Sequence, residues 1–296
     1  MVTQHFLTKG FVVLAGAWVA ADGLLAEDPK VMREALRVSL TFHAGFDGDT
    51  DAAVARGDAR LFTAAAAATV KESRPGLHTG EKTRLAKGAG KYGDALEFTA
   101  REAPFLFYRA EKNVVYRKED WSGTASFWLR LDPEEDLEPG YCDPIQITTR
   151  AWNDAAFFVD FDQAGDPRDF RLGAFPDLSV WNPENAEVPE EKRPLLKVRN
   201  PPFGRDRWTH VAFTWEDFNK GNREGRATFY LDGKNQGQIT GWEQTFRWRE
   251  EEEVRLYAGL YYIGLFDELS CFDRALTEEE ISFLHGLEGG IAALSK

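Results

Sequence analysis

The sequence predicts an all-β sandwich of two antiparallel sheets with short helices at both ends, and three observations lead there. Short segments of alternating polarity recur at close spacing through most of the 296 residues, with no long helical periods between them. Asp232-Gly233 directly follows the strand-like run Ala227-Thr228-Phe229-Tyr230-Leu231, a strong signal for a tight hairpin turn. The stretch from Tyr262 to Thr277 reads as a closing core strand that runs straight into a helix start.

Taken in order, residues 29–36 read as a short helix, and residues 38–43 alternate as a first strand closed by a turn at 45–49. Residues 64–68 are an alanine tract, either a helical turn or a flexible insertion. Residues 82–93, basic and Gly-rich, read as an exposed loop before a strand at 95–99. Further strands follow at 126–131, 145–150, 156–161 and 170–175. In the closing strand Phe266, Glu268, Ser270 and Phe272 share one parity, and Asp267, Leu269 and Cys271 the other. Thr277 and Glu280 then stand at capping-box spacing. Two excursions interrupt the pattern: an acidic one at 132–143, and a Pro- and Asn-rich one at 176–202 that contains Trp181. Long loops in compact domains are functional or disordered, and the second is the leading candidate for the rim of a binding site.

A hydrophobic fraction of 43% with nine Trp marks a folded globule. A formal charge of -13 argues against nucleic acid, which needs a basic footprint, and against anionic lipid surfaces. Residues 1–26 read as a signal peptide: Lys9, then an apolar run at 10–21 too short to span a bilayer, then Leu24-Leu25-Ala26. A buried N-terminal helix is the alternative. The signal reading places the protein outside the cytoplasm, secreted or periplasmic, with no membrane span. Cys142, in a turn-rich loop, and Cys271, on the closing strand, permit either one disulfide or two separately buried thiols.

The segments Trp121 to Leu131, Trp208-Thr209-His210-Val211-Ala212-Phe213-Thr214-Trp215, Ala227 to Gly233 and Gly264 to Thr277 resemble, in order and spacing, the strands of laminin G-like, concanavalin A-like jelly-roll domains. The resemblance runs from about residue 38 to the end. It implies a jelly-roll β-sandwich, with residues 27–296 as a single domain closed by a short helical tail. Such scaffolds host lectins, adhesion modules, lyases and glucanases alike. The related glucanases carry Glu-x-Asp-x-x-Glu on one strand. Here Glu134-Glu135-Asp136-Leu137-Glu138-Pro139 ends in proline, within an acidic loop. The related alginate lyases carry Gln-x-His, and Gln146-Ile147-Thr148 has Thr in the His position. No Gly-x-Ser-x-Gly, phosphate-loop or His-Glu-x-x-His motif occurs. His210, in the Trp-x-His strand, reads as a packing and hydrogen-bonding residue.

These features predict a secreted, non-catalytic carbohydrate-binding or surface-interaction module, with a polysaccharide, glycan or surface protein as partner. The alternatives are a polysaccharide-degrading enzyme whose catalytic pair is assembled from separate strands, and a protein-adhesion module. Trp128, Trp208 and Trp215, on alternating strands, read as core. Loop aromatics have less core to enter, and Arg150, Trp152, Asn153, Arg171, Trp181 and Tyr262 are the candidate binding residues. Trp would stack on sugar rings, Arg would donate paired bonds to hydroxyls or a carboxylate, and Asn153 would fix orientation. The resemblance also implies a structural calcium ion, with Asp47 and Asp267 at ligand-like positions. The alternative is that Asp47 caps a turn and Asp267 binds local backbone amides.

Overall fold

The computed structural model describes Met1 and residues 28–249 and 253–295. The segment read as a signal peptide lies, Met1 apart, outside the described residues.

Among the described residues there are four α-helices: α1 (Pro29–Ser39), α2 (Pro133–Asp136), α3 (Leu178–Trp181) and α4 (Glu278–His285). The strands are β1 (Leu40–Ala44), β2 (Val54–Ala55), β3 (Phe62–Ala64), β4 (Arg74–Pro75), β5 (Thr83–Ala86), β6 (Ala95–Phe98), β7 (Phe105–Arg109), β8 (Trp121–Arg130), β9 (Cys142–Thr148), β10 (Ala156–Phe161), β11 (Phe170–Phe175), β12 (Leu195–Val198), β13 (Thr209–Phe218), β14 (Arg226–Leu231), β15 (Lys234–Ile239), β16 (Arg255–Leu260) and β17 (Gly264–Phe272). One sheet runs β15-β14-β13-β8-β17-β1-β2, with β6 beside β17 and β5 beside β6; the other runs β12-β11-β10-β9-β16-β7-β3-β4. Neighbouring strands pair antiparallel, as the jelly-roll expectation requires.

The core lies between the sheets. Phe127, Phe213 and Trp215 from the first meet Ile147, Phe157 and Leu172 from the second, all fully buried. Trp121 sits among them, edge-on to Trp215 at 5.2 Å and to Trp248 at 5.1 Å. Such rings bury large apolar areas and prefer tilted contacts, which fixes how the sheets stack.

The outer face of the first sheet is covered. Leu36 of α1, Ile281 and Leu284 of α4, and Ile291 and Leu294 of the terminal 3-10 turn pack on Ala212, Tyr230 and Phe272. The expected capping box starts α4: Thr277 Oγ1 accepts from the Glu280 amide, and the Glu280 carboxylate accepts from the Thr277 amide. On the outer face of the second sheet, Val70 of the 3-10 turn at Ala67–Glu72 packs on Phe62 and Phe107 at one end.

Several expectations are corrected. The first helix runs to Ser39, with Asp28 capping the Lys30 amide, so the first strand begins at Leu40. The basic segment 82–93 is half strand: β5 pairs with β6, and the loop after it folds back onto Asp267. The alanine tract ends β3 and enters a 3-10 turn. Cys142 opens β9, and both cysteines are separate buried thiols. Burial pushes the Cys271 thiol up to about 12. The closing strand does not alternate throughout. Glu268 adopts φ 55°, a bulge that places Phe266 in the inter-sheet core and Phe272 on the outer face. No helix of the described residues is long and apolar enough to cross a membrane.

Candidate functional site

Strand alternation sends Phe157, Val159 and Phe161 of β10, and Phe170, Leu172 and Ala174 of β11, into the core. The opposite positions therefore face outward, and there Phe158, Asp160, Arg171 and Phe175 line an open cavity of about 590 Å³. Asp143 from β9, Leu195 from β12 and the loop residues Arg101, Tyr141, Trp152, Arg193 and Tyr261 complete it. A volume of this order suits a small organic ligand.

Gly173 makes the floor possible. It pairs with Phe158, and a Cβ there would lie 2.3 Å from that ring. Without one, Phe158 lies across β11 and stacks on Phe175 at 5.6 Å. Trp152, on the β9–β10 turn, stands edge-on to Phe175 at 5.3 Å and to Phe158 at 6.1 Å.

Among the described residues, the exposed Phe, Tyr and Trp side chains are Tyr141 (40% accessible), Trp152 (45%) and Tyr261 (43%). All three rim this cavity. Each carries a guanidinium over its ring: Arg171 over Tyr141 at 4.7 Å, Arg101 over Tyr261 at 4.8 Å and Arg193 over Trp152 at 5.8 Å. Tyr261 adopts φ 57°, a conformation that costs a bulky residue free energy and that turns its ring outward.

Beneath the rim lies a buried ion pair. Arg171 and Asp160 face each other across β10 and β11, and the guanidinium donates to both carboxylate oxygens, through Nε at 2.8 Å and through Nη2. Burial pushes Asp160 up to about 6 against the pull of the Arg171 fork, so it stays ionised at neutral pH. Burial works against the Arg171 charge, but the Asp160 bond and charge outweigh it and raise the group. At Asp143 desolvation, reinforced by Asp160, lifts the carboxyl well above the usual range, with Arg171 and Arg101 opposing. Burial thus opposes its ionisation, while the two guanidiniums favour it.

The structure brings together Trp152 and Arg171 of the sequence-predicted residues. Arg150 instead braces the turn behind Trp152, bonding Asp177 at 3.1 Å and the Arg247 carbonyl at 2.7 Å. Trp181 donates its indole N–H to the Asn153 carbonyl at 2.9 Å and packs on Phe175 from behind, at 5.2 Å. The excursion at 176–202 reaches the cavity through Arg193 and Leu195. Tyr262 is fully buried, its hydroxyl donating to the Leu265 carbonyl, and its neighbour Tyr261 holds the exposed position. Sequence reasoning missed Arg101, Tyr141, Asp143, Asp160, Arg193 and Tyr261. Asp160 and Arg171 carried a legible signal: each is the single charged residue of an otherwise apolar strand.

Asp47 and Asp267 do not fit a calcium ion. Asp267 Oδ2 accepts from the Lys91 and Tyr92 amides at 2.8 and 3.2 Å, its Oδ1 accepts from the Glu268 amide, and Asp47 Oδ1 accepts from the Asp94 amide at 2.8 Å. Oxygens aimed at N–H donors are in use, and among the described residues no group of three or more His, Cys, Asp or Glu is placed to hold a metal. A second cavity of about 970 Å³ has Arg56, Arg109 and Trp248 in its lining, and there Arg56 and Arg109 are engaged by Asp273 and Glu253.

The structure is similar to domain 4 of a GH43 extracellular arabinanase from Geobacillus stearothermophilus, solved with arabinotriose (TM-score 0.51, 17% identity, 82% of this chain and 97% of that one). It is also similar to the ligand-binding domain of botulinum neurotoxin serotype D solved with N-acetylneuraminic acid (TM-score 0.53, 9% identity, 86% and 52%). A third likeness is to the receptor-binding domain of a botulinum neurotoxin C/D mosaic serotype (TM-score 0.54, 8% identity, 84% and 51%). This chain spans about half the length of the toxin domains. At such identities the likeness is one of fold. No curated protein sequence matches the chain. The laminin G family model of the concanavalin A-like lectin/glucanases superfamily matches residues 117–282, more than half of the chain. With its two antiparallel sheets and its jelly-roll neighbours, the chain belongs to the laminin G-like family of the concanavalin A-like lectin/glucanase superfamily.

Proposed function

We propose that this chain is a secreted, non-catalytic carbohydrate-binding module whose site is the cavity on the outer face of the second sheet. One observation carries the reading: the three exposed aromatic rings of the described residues all rim the cavity that also holds Asp143, Asp160 and Arg171. An aromatic face accepts the C–H face of a sugar ring, and charged groups below it orient hydroxyls. The arabinotriose bound to the similar arabinanase domain is consistent with such a use of the fold. The competing enzymatic reading has an observation of its own, since Asp143 and Asp160 come from different strands into one cavity. Yet both oxygens of Asp160 accept charge-assisted bonds from Arg171, which weakens the carboxylate as a nucleophile or base.

A glycan array read with the wild type and with Trp152→Ala tests the proposal. Binding that the substitution abolishes supports it. No bound glycan, or a bound glycan retained undiminished by the variant, would sink it. Release of reducing sugar or unsaturated uronate from a bound polysaccharide would replace it with the enzymatic reading.

A further inference from the structure

The lining of the cavity reverses the charge balance of the chain. Overall, 49 Asp and Glu stand against 36 Lys and Arg. In the cavity three guanidiniums face two carboxyls; Asp160 is held by Arg171, and burial opposes ionisation of Asp143.

Arg101 and Arg193 are the telling members. Exposed arginines elsewhere on the chain commonly pair with carboxylates: Arg37 with Glu34, Arg60 with Asp58, Arg84 with Glu97 and Arg205 with Asp136. Arg101 and Arg193 have no ion pair with a described residue. Each makes one hydrogen bond to a backbone carbonyl, Arg101 to Tyr141 at 3.1 Å and Arg193 to Val188 at 2.8 Å. Each then lies over an exposed ring, Tyr261 and Trp152 respectively. One bond apiece leaves most of the five guanidinium donors unused, and the rings hold the planar forks at the cavity wall. A neutral sugar gives no reason to gather cations without counter-charges. A planar carboxylate does, because a guanidinium fork meets it with two parallel, charge-assisted hydrogen bonds.

We propose that the cavity is selective for saccharides that carry a carboxylate, with Arg101 and Arg193 receiving it above a floor formed by the Arg171–Asp160 pair. The proposal rests on the carbohydrate-binding reading and adds the ligand class to it. Trp152 and Tyr261 then have two roles: each orients an arginine and offers the rest of its face to the sugar ring.

The test is binding of the wild-type chain to polygalacturonate, alginate, hyaluronate and sialyllactose, each beside its carboxyl-reduced counterpart, and to a sulfated galactan without carboxylates. At least one carboxylated probe is expected to bind, with affinity falling tenfold or more on carboxyl reduction and falling with added salt. Arg101→Gln and Arg193→Gln are each expected to weaken that binding about tenfold with no change in melting temperature, since both side chains lie at the rim. If the carboxyl-reduced probes bind as well as the parent polymers, the ligand class is wrong and the carbohydrate-binding reading stands. Equal binding of the sulfated galactan overturns carboxylate selectivity in favour of a general anion site. No binding in any arm overturns both readings.

Discussion

On the outer face of the first sheet, Glu268 bonds His43 at 3.2 Å and accepts from the Ile291 amide at 2.9 Å, and Asp267 receives the amides of the loop at 91–92. On the outer face of the second sheet, Asp160 bonds Arg171, which lies under Tyr141. Both faces bury carboxylates, and they use them differently. The first spends their acceptors on the chain itself, on backbone amides that seat the covering loop and the terminal turn. The second spends them on a side chain, fixing a guanidinium that faces an open cavity. Buried polar groups with all partners internal build structure, whereas a buried pair at the base of an opening is poised to meet something outside.

The largest effect should come from splitting that pair. Asp160→Ala removes the two-pronged partner of the buried Arg171 guanidinium, leaving it Glu190 at 3.5 Å and Asp162 at 4.0 Å, and is expected to cost about 3 kcal/mol in urea denaturation. The double variant Asp160→Leu with Arg171→Met should regain most of the stability and none of the carboxylate-dependent binding. Recovery of both would mean that the pair serves the fold alone.

The tryptophans of the two faces sharpen the contrast. Trp128 is buried on the covered face, beneath His285 at 5.5 Å and Lys91 at 4.3 Å, and Trp128→Ala is expected to cost about 3–5 kcal/mol with glycan binding intact. Trp152→Ala should abolish binding and cost about 1 kcal/mol or less. A large stability loss at Trp152 would make it a core residue.

The pH dependence of stability should report the covered face. Burial, with Glu268 beside it, pushes Asp267 up to about 8, so its contribution is complete below the unfolded value of about 4 and is lost as pH rises through 8. Burial, with His285 and Lys91 adding to it, lowers His210 to about 3. Its contribution is complete above about 6.5 and is lost as pH falls. The two slopes, each at most about 1.4 kcal/mol per pH unit, oppose one another between about 4 and 6.5. A net decline then remains between about 6.5 and 8. Thermal melts across this range should show it, and Asp267→Asn should reduce it, with the lifted Asp143 contributing in the same direction.

The smallest effect belongs to Asp143. Facing Asp160, Arg171 and Arg101, it should ionise as pH rises through its lifted pKa and weaken binding of a carboxylated probe several-fold. Asp143→Asn should remove that dependence, and identical pH profiles for both proteins would assign it no electrostatic role.

The sheets were legible because strands 156–161 and 170–175 are bounded by turn residues, and because Asp232 and Gly233, at φ 48° and 74°, form the hairpin turn that their sequence announces. His210 was legible as a hydrogen-bonded core residue, and it bonds Ser126 at 2.8 Å. The site was legible in part. Trp152 and Arg171 could be picked out as a loop aromatic and a lone strand charge. Tyr262 was chosen over Tyr261 because alternation cannot foresee which of two adjacent rings a left-handed residue turns outward. Arg101 and Arg193 come from loops far apart in sequence, and only the closure of the sheet brings them to one opening.

Arg33 of α1 donates to the Ala293 carbonyl, so the two ends of the described chain meet on the helix-covered side. The aromatic cavity lies on the other side, with the full thickness of two sheets between. The cavity therefore opens on the side away from both helices, like the palm of an outstretched hand, and a ligand can reach it without disturbing either of them.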